Sequence, residues 1–129
     1  LIRGEYGHDI IDELKPLPDE IVIDKSGKGS FHQTALHELL ESYGVRSLIV
    51  AGVTTEVCVH TTVREANDRG YECLVLADCV GSYFPHFQRA ALEMISAQGG
   101  IFGWVAPSTA VLPALASSTA VVTPALQLS

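Results

Sequence analysis

At 129 residues the chain is one domain or part of one. A net charge of −7 and a pI of about 5.0 argue against nucleic acid and anionic membrane as partners. Three unevenly spaced cysteines make no disulfide framework and fit a reducing compartment, the cytoplasm, and no apolar run reaches the length of a membrane span.

Residues 1–19 read as loop, with one helical turn near Asp9–Leu14 that Pro16 and Pro18 end. The opening at Leu1, without a start or capping signal, leads us to expect a piece of a longer protein. Glu20–Asp24 is β-branched and weakly alternating, a short strand. The turn that follows, Lys25-Ser26-Gly27-Lys28-Gly29-Ser30, carries two cations. It lacks the GxxxxGK[ST] spacing, so a phosphate-binding loop is set aside, and with it a flavodoxin-like nucleotide module. Solvated loop charge is the ordinary fate of such lysines.

Phe31–Tyr43 places Leu36, Leu39, Leu40 and Tyr43 at helical spacing, closed by Gly44. His32 and His37 lie five apart, off the shared face that paired metal ligands need, and read as surface residues. Leu48–Ala51 is a buried strand running into Gly52-Val53-Thr54-Thr55, and Glu56–Arg69 is the helix after it, stopped by Gly70. Cys58 falls in the first turn of that helix. Unpaired amides and the helix dipole favour an anion there, and a thiol so placed can become a thiolate nucleophile. The bland alternative is a small buried hydrophobe. His60, two residues on, falls on another face and reads as structural.

Tyr71–Asp78 is an apolar strand, and Gly81–Pro85 is a loop at its end. Pro85–Gln98 is a helix with proline near N1, stopped by Gly99 and Gly100. Ile101–Val105 is a last strand, and Ser108–Leu115 a last helix capped by Ser108. Residues 116–129 are uncharged and rich in Ala, Ser and Thr, and are expected to be disordered or to pack on a partner. Strands alternating with helices imply a parallel sheet with helices on both faces, whose sites form at the carboxyl ends of strands. Lys25, Cys58, Asp78 and the Gly81–Phe84 loop all gather there.

Several phrases together carry a family resemblance. They are Val22-Ile23-Asp24-Lys25, Gly29-Ser30-Phe31, Thr34-Ala35-Leu36, the run Leu48 to Val59 (LIVAGVTTEVCV), Thr61–Ala66, Arg69-Gly70-Tyr71 and Val75–Asp78. Over residues 1–115 the chain resembles the isochorismatase-like cysteine hydrolases, closest to their biuret-hydrolase and ureidoacrylate-amidohydrolase branch. The resemblance implies a three-layer α/β/α, Rossmann-like fold whose first strands are absent here. It implies catalytic Lys25 and Cys58, with a partnering aspartate on the absent first strand, beside the Cys58-bearing one. The isolated chain is therefore expected neither to fold stably nor to turn over substrate.

The resemblance further implies a cis peptide between Val53 and Thr54, an oxyanion hole from the Thr54 and Cys58 amides, and substrate contacts by Lys28 and Gln98. Their bland readings are loop charge for Lys28 and a polar helix end for Gln98. The implied reaction opens a C–N bond of a small amide or ureido compound through a thioester-type acyl-enzyme and releases ammonia, without a cofactor. Some relatives, the nicotinamidases, hold zinc through residues upstream of this region; no metal site is assigned here. The full-length protein is expected to be a homo-oligomer. The competing expectations are a catalytically incomplete structural or interaction piece, or an isochorismatase-type hydrolase of another small substrate.

Overall fold

The computed structural model describes residue 2, residues 4–117 and, for the backbone, residues 126–128. A single 3-10 turn, Asp12–Leu14, precedes β1 (Ile21–Ile23). Then come α1 (Leu36–Ser42), β2 (Ser47–Val53), a π-helical turn (Thr55–Val59), α2 (His60–Asp68), β3 (Glu72–Gly81), α3 (Pro85–Gly100), β4 (Trp104–Ala106), α4 (Ser108–Ser117) and β5 (Leu126–Leu128). The strands β2, β3 and β4 form one parallel sheet in that order. Within it Ser47 lies opposite Glu72, and Leu74 opposite Trp104. β1 pairs in parallel with β5 in a separate ribbon. The architecture is the three-layer α/β/α fold.

The core lies where α1, α2 and α3 meet β3. Val59, Val63 and Ala66 recur at helical spacing and close against Leu36, Leu40, Tyr71, Cys73, Val75 and Ile95. Phe31 seals one end, stacked on Tyr71 with ring centroids 5.9 Å apart and covered by the Arg69 guanidinium at 4.8 Å.

Several element boundaries differ from the expectations, each for a physical reason. The helix expected from Phe31 begins at Leu36, because Ser30–Ala35 is drawn into a turn. In that turn the Thr34 hydroxyl donates to the Ser30 carbonyl at 2.6 Å, and Gln33 takes φ +54°. β3 runs on past Asp78, because Val80 and Gly81 pair with Gly52 and Val53 beyond a register shift whose extra residues lie in β3. β4 starts later than expected, at Trp104, because Gly100 and Gly103, both at positive φ, carry the turn into it. α4 is capped from outside. The Ser108 amide and hydroxyl both donate to the Asp78 carboxylate on β3, at 2.7 and 2.6 Å. Of the expected tail, Ala116 and Ser117 continue α4 and the 126–128 backbone pairs with β1, while residues 118–125 and 129 lie outside the described residues.

Candidate active site

The site is built at the carboxyl ends of β1 and β2. β1 ends at Ile23, and Lys25 follows in a loop whose Gly27 carbonyl accepts from the lysine ammonium at 3.1 Å. β2 ends at Val53, and the Val53–Thr54 peptide is cis. The chain then enters the π-helical turn that holds Cys58. Such turns often mark functional positions in helices, because they widen the helix by one residue. Lys25 Nζ lies 3.7 Å from Cys58 Sγ, with both side chains half-buried.

Two sets of hydrogen bonds hold this pair. On the lysine side, Thr62 on α2 donates to the Cys58 carbonyl at 2.7 Å and meets the Ser30 amide and hydroxyl at 3.2 and 2.8 Å. Glu65, further along the same helix, accepts from the Phe31 amide at 3.4 Å. Its carboxylate occupies the space that a side chain at Gly29 would fill. On the sheet side, the buried Thr55 hydroxyl donates to the Gln88 side-chain carbonyl, and the Gln88 amide nitrogen donates to the Val80 carbonyl at 3.1 Å. Gln88 thus ties the start of the nucleophile turn to α3 and β3.

The remaining site expectations fall out differently. Lys28 lies exposed in the lysine loop, and its ammonium is unpaired among the described residues. Gln98 is not brought to the pair. It sits at φ +53° where α3 has left helical geometry, just before the turn into Trp104, and Trp104 pairs with Leu74 near the start of β3. The nucleophile turn follows Val53, which pairs with Gly81 at the far end of β3. Along β2, whose Ile49 pairs with Leu74 and whose Val53 pairs with Gly81, four residues or roughly 13 Å of strand separate those two ends. Asp78 is occupied as the cap of α4, where its carboxylate accepts from Ser108. His60 is buried, and its Nδ1 accepts from Arg64 Nε at 3.1 Å. Burial first, and then the Arg64 charge, hold it below the ordinary histidine value, so it is neutral at pH 7. Among the described residues no group of three or more His, Cys, Asp or Glu converges to hold a metal.

Ser30, Thr55, Thr62, Glu65 and Gln88 were not singled out in the sequence. The signal available for Thr62 was its spacing: a hydroxyl one helical turn after Cys58 can return to the cysteine carbonyl.

The family profile described as an isochorismatase domain matches residues 1–108. A ureidoacrylate amidohydrolase, RutB, of Serratia proteamaculans is 41% identical over 106 residues, which is 81% of this chain and 42% of that protein. The chain thus spans under half the length of that relative. Among solved structures, a cysteine hydrolase from Pseudomonas syringae pv. phaseolicola superposes with a TM-score of 0.82 at 28% identity, over 89% of this chain and 58% of the other. An N-carbamoylsarcosine amidase from Thermoplasma acidophilum superposes with a TM-score of 0.71 at 25% identity, over 81% of this chain and 58% of the other.

Proposed function

The chain belongs to the isochorismatase-domain family, and from that premise we propose that it supplies the nucleophile of a cysteine amidohydrolase acting on a small amide or ureido compound. The observation that carries this reading is the Lys25 ammonium set 3.7 Å from the Cys58 sulfur at the carboxyl end of a parallel strand. Relatives named for ureidoacrylate and N-carbamoylsarcosine support the ureido class.

In the reaction, Lys25 stabilises the Cys58 thiolate, which attacks the substrate carbonyl. A C–S bond forms as the carbonyl π bond opens, and the Thr54 and Cys58 amides receive the oxyanion. The carbonyl re-forms as the C–N bond breaks. The leaving nitrogen takes up the proton first removed from the thiol and departs as ammonia. Water then cleaves the acyl-enzyme and returns the thiol. The carrier of that proton is an aspartate on a strand outside this sequence. The edge of β2 supports its placement, since among the described residues β2 pairs on one side alone, with β3. Lys28 reaches the carbonyl or carboxylate end of the substrate. A reducing cytoplasm suits the free cysteines.

The test is ammonia release by the full-length gene product from ureidoacrylate, biuret and nicotinamide. Cys58→Ser should lower kcat/KM on the best of these on the order of a thousandfold or more. Lys28→Ala should raise KM for ureidoacrylate about tenfold with little change in kcat. Release that survives Cys58→Ser would sink the cysteine mechanism. An unchanged KM in Lys28→Ala would remove that lysine from the substrate.

A further inference from the structure

We propose that Thr62 is the positioning residue that sets Lys25 against Cys58, by joining the lysine loop to the nucleophile turn through one hydroxyl. The proposal rests on the reading of Lys25 and Cys58 given above. The hydroxyl of Thr62 has a single proton, and the Cys58 carbonyl 2.7 Å away takes it. Toward Ser30 it therefore acts as acceptor, from the amide at 3.2 Å and from the hydroxyl at 2.8 Å. Ser30 and Thr62 are 2% and 7% exposed, so water does not stand in for either partner. Ser30 is five residues after Lys25, within the turn whose next amide, that of Phe31, donates to Glu65. Glu65 holds the loop alone. Thr62 holds both the loop and the cysteine's own peptide, and so fixes the spacing between the two reactive groups.

The experiment follows the alkylation of Cys58 by iodoacetamide, read on its own peptide by mass spectrometry in the full-length gene product, at neutral and at strongly alkaline pH. At neutral pH the rate reports the thiolate fraction. Under alkaline conditions, where every accessible thiol is ionised, it reports access alone. Thr62→Val should slow the neutral-pH reaction about five- to tenfold and leave the alkaline rate within about twofold of the parent. Thr62→Ser, which keeps the hydroxyl, should match the parent at both. The Lys25→Met/Thr62→Val double variant should be no slower than Lys25→Met.

Should Thr62→Val not fold, Ser30→Ala removes the hydroxyl bond from the loop side while the Ser30 amide still donates to Thr62, and it should give a smaller neutral-pH loss with the alkaline rate unchanged. If Lys25→Met slows the neutral reaction and Thr62→Val does not, or Thr62→Val changes both rates alike, Thr62 is merely structural and the proposal falls while the thiolate reading stands. If Lys25→Met leaves the neutral rate untouched, the thiolate reading falls and takes this proposal with it.

Discussion

Asp78 closes the apolar run that precedes it, where a parallel sheet gathers its chemistry, yet its carboxylate is committed to the start of α4. The Ser108 hydroxyl, and then the Ser108 amide, hold the Asp78 carboxyl below the usual carboxylate value. A carboxyl whose value is depressed in the folded state stabilises the fold above its unfolded value and loses that contribution as pH falls through the folded value. Ser108→Ala should therefore be less stable than the parent at neutral pH, and the gap should narrow as pH drops through the folded-state value of Asp78. Urea denaturation across that range measures it, and a gap that stays constant down to strongly acidic pH would contradict the capping role. The cysteines divide by the same reasoning. Burial pushes the Cys73 thiol up to about 11, whereas Cys79 is exposed. Alkylation at neutral pH should label Cys79 and spare Cys73, as peptide mass spectrometry would show.

At the scale of elements, periodicity located the strands and helices, while partners in space set their limits. The alternation of β1 and β2 with amphipathic stretches was legible, as were Gly44 and Gly70 as helix stops. The start of α1, the run of β3 to Gly81 and the π-helical turn were not. Each depends on a contact between residues far apart in sequence, such as Ser30 with Thr62 or Val80 with Gly52. Two glycines show how the neighbour decides the cost of a side chain. At Gly103 a Cβ would lie 2.5 Å from the Cys73 carbonyl oxygen, on a residue already at φ +152°. Neither backbone can yield cheaply, so Gly103→Ala should cost about 1–3 kcal/mol in thermal or urea unfolding. At Gly29 the obstacle is the end of the Glu65 side chain, which can swing away. Gly29→Ala should cost about 1 kcal/mol or less, the worth of the Phe31–Glu65 hydrogen bond. Equal losses at both positions would contradict this distinction.

For the whole molecule, the sheet is divided. β1 and β5 form one ribbon and β2, β3 and β4 another, with Ile49 and Val53 of β2 left 47% and 72% exposed. An exposed strand edge beside apolar side chains invites pairing with another chain. The 129-residue chain studied alone should therefore self-associate as its concentration rises, and static light scattering would detect it. A mass that stays monomeric throughout would argue that β2 needs no further strand. The same division explains what the sequence could tell of the site. Cys58 was legible from its place in the first turn after a strand, whereas Lys25 and the cis Val53–Thr54 peptide were legible only through the family resemblance carried by their phrases. The separation of Gln98 from them was not, because it follows from the direction in which α3 returns along the sheet. The most direct test of Cys58 as the nucleophile is to quench the full-length gene product with acid during turnover of its best ureido substrate and weigh its peptides. An acyl group should appear on the Cys58 peptide, persist through the steady state and be absent from Cys58→Ser. Turnover with no adduct on that peptide, and undiminished in Cys58→Ser, would show that Cys58 is not the nucleophile.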